Sequence, residues 1–108
     1  MHATSIIIHG LADAKTAVAR DAAVTLRSAP GAAAYAGALW WRELIAELRA
    51  HTGWQALAWL DCGDQTALAV EAIRCGVVHL ILDPQSPTLD DIREIAHGKE
   101  GEVKSLLF

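Results

Sequence analysis

The sequence predicts an α/β fold: a five-stranded, mainly parallel sheet with connecting helices, in a single domain over residues 1–108. Three observations predict it. Short runs rich in β-branched or apolar residues recur at 5–9, 23–28, 54–61, 77–82 and 103–108. Between them lie stretches whose apolar residues repeat at helical spacing. The connections are short, and strand–helix alternation with short connections means parallel strands joined by right-handed crossovers.

Each element has its own signal. Residues 5–9, Ser-Ile-Ile-Ile-His, end at Gly10 and read as a buried strand. Leu11, Ala14, Ala17, Val18 and Ala22 then form one helical stripe, with Asp13, Lys15, Thr16, Arg20 and Asp21 turned outward. Strand 23–28 places Thr25 and Arg27 on one face. Two covered faces would not tolerate that, so it is assigned to a sheet edge. Pro30 and Gly31 open a long helix that runs to about His51 and is closed by Gly53. Its inward stripe is Ala34, Gly37, Trp41, Leu44, Ile45 and Leu48, opposite Arg42, Glu43, Glu47 and Arg49. Strand 54–61 follows, then helix 64–75 with Gly76 as its stop, then strand 77–82. Ser86 and Pro87 begin a last helix that carries Asp90 and Asp91 in its first turn, where the helix dipole favours acids. Leu89, Ile92 and Ala96 point inward there, Gly98 ends it, and Lys104 makes 103–108 a second edge candidate.

With the second and fifth strands outside, the order is 2-1-3-4-5, a flavodoxin-like doubly wound sheet. The alternative is half of a (β/α)8 barrel, because residues 72–77 leading into Leu82-Asp83 resemble one step of such a barrel. A half-barrel leaves an open edge.

Composition excludes several functions. Hydrophobic residues make up 53% of the chain, which argues for a packed core over disorder. The net charge is −4 and the nine Lys and Arg form no run, so nucleic acid is not an expected partner. The longest apolar run, 29–41, is shorter than the ~20 residues needed to span a bilayer and is broken by Pro30, Gly31 and Gly37. No membrane partner is expected. The first ten residues lack a basic leader pattern, and a cytoplasmic location is expected. Cys62 and Cys75 have no C-x-x-C spacing, no ligand pair has the spacing of a metal signature, and neither G-x-x-x-x-G-K-[ST] nor G-x-G-x-x-G occurs. No metal or cofactor is expected.

Ligands of parallel sheets bind at the carboxyl ends of the strands. Here those ends hold His9-Gly10, Ser28-Ala29-Pro30-Gly31, Asp61-Cys62-Gly63-Asp64 and Asp83-Pro84-Gln85-Ser86. Ser28 and Gly31 at a helix start, with Arg27 nearby, suit a carboxylate or phosphate; the simpler assignment is an ordinary cap. Gly63, Asp64 and Asp83 complete that ligand-binding rim. Cys62 near a helix start is the candidate nucleophile, with His9 as base and Asp61 beside them. Against it, Asp61 and Asp64 flank the thiol and raise its pKa. His79 inside the fourth strand reads as a buried neutral imidazole.

Two resemblances add to this. The size and element order resemble response-regulator receiver domains, with Asp61 at the phosphoacceptor position. No acidic pair follows the first strand, Asp83 stands where a Ser or Thr belongs, and no lysine ends the fifth strand, so a phosphorylation switch gains no support. The run 28–37 (Ser-Ala-Pro-Gly-Ala-Ala-Ala-Tyr-Ala-Gly), the pair Trp40-Trp41 and Leu60-Asp61-Cys62-Gly63-Asp64 are similar to a small family of uncharacterised bacterial α/β proteins, a likeness that implies no activity.

Tyr35 and Leu39 fall among charged residues on the outer side of the long helix, with Trp40 at the boundary. Three large apolar groups within two turns have the composition of an interface centre, so a homodimer through this helix is expected. Otherwise residues 99–108 of the same chain cover them. The expected function is the binding of a small anionic metabolite at the strand rim. The alternatives are a cysteine or carboxylate enzyme using Cys62, His9 and Asp61, and an interaction module using Tyr35, Leu39 and Trp40.

Overall fold

Three isoleucines in succession, each stiff at χ1, favour extended backbone, and they form β1 (Ser5–Ile8). In the computed structural model, which describes residues 5–86 and 88–105, the elements follow as α1 (Leu11–Arg20), β2 (Thr25–Ser28), α2 (Ala32–Tyr35), α3 (Ala38–Thr52), β3 (Ala58–Asp61), α4 (Thr66–Arg74), β4 (His79–Leu82), α5 (Leu89–Gly98) and β5 (Glu102–Ser105). The expected α/β class is what forms: a five-stranded sheet, parallel at every pairing and flanked by helices.

The strand order is not the expected 2-1-3-4-5 but β1-β2-β3-β4-β5, the order of the half-barrel alternative. β5 does lie at an edge. β2 does not, and the other edge is β1, whose Ile6 and Ile7 are exposed. The reason lies in the faces. Right-handed crossovers between sequential neighbours put every helix on the same side, and α1 packs on α3, α3 on α4 and α4 on α5. Ile8, Leu26, Ala58, Leu60, Leu80, Leu82 and Val103 join the helices in one core. Alternation turns Thr25, Arg27, Trp59, Asp61, His79, Ile81 and Lys104 to the face the helices do not cover. Polar residues there need no edge position.

The long helix of the sequence reading is two helices. Gly37 sits at φ 89°, ψ 158°, a conformation that ends α2 and that side chains other than hydrogen rarely permit. Ala34 is consequently exposed rather than inward, while Trp41, Leu44, Ile45 and Leu48 are buried as expected, and Gly53 closes α3 in the left-handed region. Each of those large side chains contributes roughly 1.5–3 kcal/mol by leaving water. β3 starts later than expected because Trp54 folds inward, its indole N–H donating to the Val24 carbonyl at 2.9 Å. α5 buries Leu89, Ile92 and Ala96; Thr88, not Ser86, is its cap residue, and Pro87 lies outside the described residues, as do 106–108 of the last strand. No helix among the described residues is long and apolar enough to cross a membrane.

The turn from α5 into β5 depends on close approach. A Cβ on Gly101 would collide with the Val78 carbonyl, the acceptor for the Glu102 N–H that starts the β4–β5 ladder. Gly101→Ala is expected to cost about 1–3 kcal/mol through overpacking, read as a lowered melting temperature with selective loss of amide protection in β5. An unchanged melting temperature would show that this turn relaxes freely.

Candidate functional site

Asp61 ends β3 and is wholly buried (0% exposed). A buried carboxylate must be held by hydrogen bonds, and two glycines supply them. Its Oδ1 accepts the N–H of Gly31 at 3.1 Å, from the β2–α2 loop, and that of Gly63 at 2.8 Å, from its own loop. Both glycines have positive φ, 68° and 61°, which turns their N–H groups toward one point. The Asp61 N–H donates to the Ser28 hydroxyl at 2.9 Å, and that hydroxyl donates to the Ala29 carbonyl at 3.2 Å. The Asp83 N–H donates to the Gly63 carbonyl at 2.7 Å, joining the end of β4 to the same loop. The second oxygen, Oδ2, has no partner among the described residues. Two residues earlier on the same face, the indole N–H of Trp59 (2% exposed) has none either.

Trp59 is the centre of the face without helices. Arg27 lies beside it in register, His79 meets its ring edge-on at 5.3 Å, and the Lys104 ammonium stands 4.5 Å over it. His79 is half-buried. Burial holds its pKa below the usual imidazole value, with Arg49 acting in the same direction and Glu102 against it. The sequence reading expects a buried imidazole here, and the ring is only half-buried.

No protein-family model, curated protein or solved structure matches this chain. What the site does is therefore to be read from its own atoms.

The expected anion nest at Ser28 and Gly31 does not form. The Gly31 N–H is spent on Asp61, Ser28 is fully buried, and α2 is a helix of four residues. The rim instead gathers carboxylates: Asp61, exposed Asp64, and Asp83, whose Oδ1 accepts the Gln85 N–H at 2.8 Å. Arg27 belongs to the sheet face, two residues below the carboxyl end beside Asp61. Among the described residues no group of three or more His, Cys, Asp or Glu is placed to hold a metal ion.

Cys62 is not poised as a nucleophile. Its side chain turns into the helix-side core (1% exposed), and burial, reinforced by the charge of Asp61, pushes the thiol up to about 12. Both cysteines are free thiols. His9 is exposed and lies on the first strand's end instead of beside that thiol's core position. Asp13 anchors the turn there by accepting the N–H groups of His9 and Gly10 at 2.8 and 2.9 Å. Burial alone would raise the Asp13 pKa, but those bonds, the Ala14 N–H and the nearby His9 outweigh it and hold it below the usual carboxylate range.

His9 instead shares a cleft of about 320 Å³ with Ile8, Ala32, Tyr35 and Trp40. Tyr35 and Leu39 are exposed at 70% and 55%, while Trp40 is half-buried against the core. The described part of the 99–108 segment, ending in β5, lies at the opposite edge from β1 and does not cover them.

Iodoacetamide at pH 8 is expected to modify half-buried Cys75 in the folded protein and Cys62 only after unfolding, measured by peptide mass spectrometry. Fast labelling of Cys62 in the native state would restore it as a reactive group.

Proposed function

We propose that this chain is a small-molecule-binding α/β domain whose ligand sits at the carboxyl end of the sheet and donates a hydrogen bond to Asp61. One observation carries the reading: a wholly buried carboxylate with one oxygen fastened by two loop N–H groups and the other without a partner. An unsatisfied buried acceptor costs on the order of 1–3 kcal/mol or more when charged, and a ligand donor recovers it. The loops hold Asp61 in position beforehand, which is what a binding group requires. The orphaned Trp59 N–H on the same face supplies a donor, so the fitting ligand class combines a hydroxyl, amide or ammonium with a nearby acceptor. In parallel sheets whose strands follow in chain order, the carboxyl-end loops are the usual place for such a site.

A second reading has its own observation. Tyr35 and Leu39 remain exposed, and a twofold homodimer would cover them. Sedimentation of the wild type against a Tyr35→Glu, Leu39→Glu double variant tests it, with a monomeric wild type at high micromolar concentration ending it.

Two substitutions separate fastening from binding at Asp61. Asp61→Ala leaves the Gly31 and Gly63 N–H groups without an acceptor and should lose about 2–5 kcal/mol in denaturant unfolding. Asp61→Asn keeps an oxygen for both and should stay within about 1 kcal/mol of wild type. In NMR titrations with ribose, ethanolamine and acetamide, the amides of Ser28, Ala29, Gly31 and 61–63 should shift in the wild type and not in Asp61→Asn. Equal shifts in both proteins, or none in either, contradict the reading.

A further inference from the structure

At the opposite end of the sheet, a cleft of about 320 Å³ opens between α3 and the turn from α4 into β4. Trp41, Ile45, Ala58 and Val77 make its apolar walls, and Arg42 and Arg49 stand two turns apart on the α3 side. Both arginines reach across to the facing chain: Arg42 donates to the Cys75 carbonyl at 3.2 Å, Arg49 to the Ala56 carbonyl at 3.0 Å. Arg42 also pairs with Glu43 at 3.0 Å. Arg49 lies 5.2 Å over the Trp54 ring and pairs with no carboxylate among the described residues. Among the described residues no acidic side chain lines the cleft, although the chain as a whole carries −4.

A partly desolvated guanidinium without an acid is satisfied by a carboxylate, which matches its planar fork of donors. The volume lies at the small end of ligand pockets, roughly 300–1,000 Å³, and suits a small ligand. We propose that this cleft binds a small carboxylate with an aromatic or branched aliphatic body, its carboxylate on Arg49, its body against Trp41, Ile45 and Val77, and Arg42 closing the far end. The site is separate from Asp61 and stands whether or not that one binds a ligand.

Benzoate is the probe, with its neutral isostere benzamide as control, in NMR titrations of the folded protein. Benzoate should saturate shifts at the Val77 methyls and the Trp41 indole while leaving amides 61–63 in place. Benzamide should bind at least tenfold more weakly. Because Arg49 helps to hold the His79 pKa down, a carboxylate on Arg49 should raise it. Arg49→Gln should weaken benzoate at least tenfold, and Arg49→Lys should recover part of the loss. Ala46→Phe, at an exposed position on the cleft wall, should block the cleft with both arginines intact. Equal binding of benzoate and benzamide, unchanged affinity in Arg49→Gln, or shifts confined to residues 61–63 would each overturn the proposal.

Discussion

The Asp61 carboxylate holds the functional end of this molecule together. One oxygen gathers an N–H from the loop after β2 and another from the loop after β3, while its own N–H takes the Ser28 hydroxyl. Gly63 passes the connection to Asp83 beyond β4. Three loops from three strands thus take their positions from one side chain. The arrangement needs glycine at 31 and 63, because only left-handed backbone turns both N–H groups onto the same oxygen. Charge-assisted bonds of this kind are about twice as strong as neutral ones, and burial increases the dependence of each loop on them.

Much of the fold was legible because period-2 and period-3.6 patterns are local. The alternation of elements, the inward faces of α3 and α5 and the stops at Gly53 and Gly98 follow from spacing alone. The strand order did not, because placing Thr25 and Arg27 at an edge assumed that helices cover both sides of the sheet. With helices on one side, a central strand can carry arginine, and a strand with three isoleucines can lie outside. The break at Gly37 was missed for a related reason: a helical projection continues through a glycine without registering its positive φ.

The site was legible in position and not in chemistry. Asp61, Ser28, Gly31 and Gly63 all appear at the strand ends where the sequence places them, yet they bind one another. A list of polar residues at a rim does not say which of their groups are already used. Cys62 shows the same limit, since one residue's shift along β3 separates the sheet face of Asp61 from the core face of the thiol. The Arg42–Arg49 cleft gave no sequence signal, because two arginines seven apart on an amphipathic helix look like an ordinary outer face.

The strand order has a consequence for how the chain reaches this structure. Every strand pairs with the one just before or after it in the chain, so no pairing waits for a distant segment. Parallel sheets are intrinsically slow when remote strands must find each other, and the loop closed here never exceeds one crossover. The sheet can therefore assemble stepwise along the polypeptide as each strand–helix unit emerges during synthesis, with β1 available as the first template. A doubly wound order would instead hold its outermost early strand beside β1 and require the third to dock on the other flank. Growth here runs in one direction, from the amino-terminal strand outward.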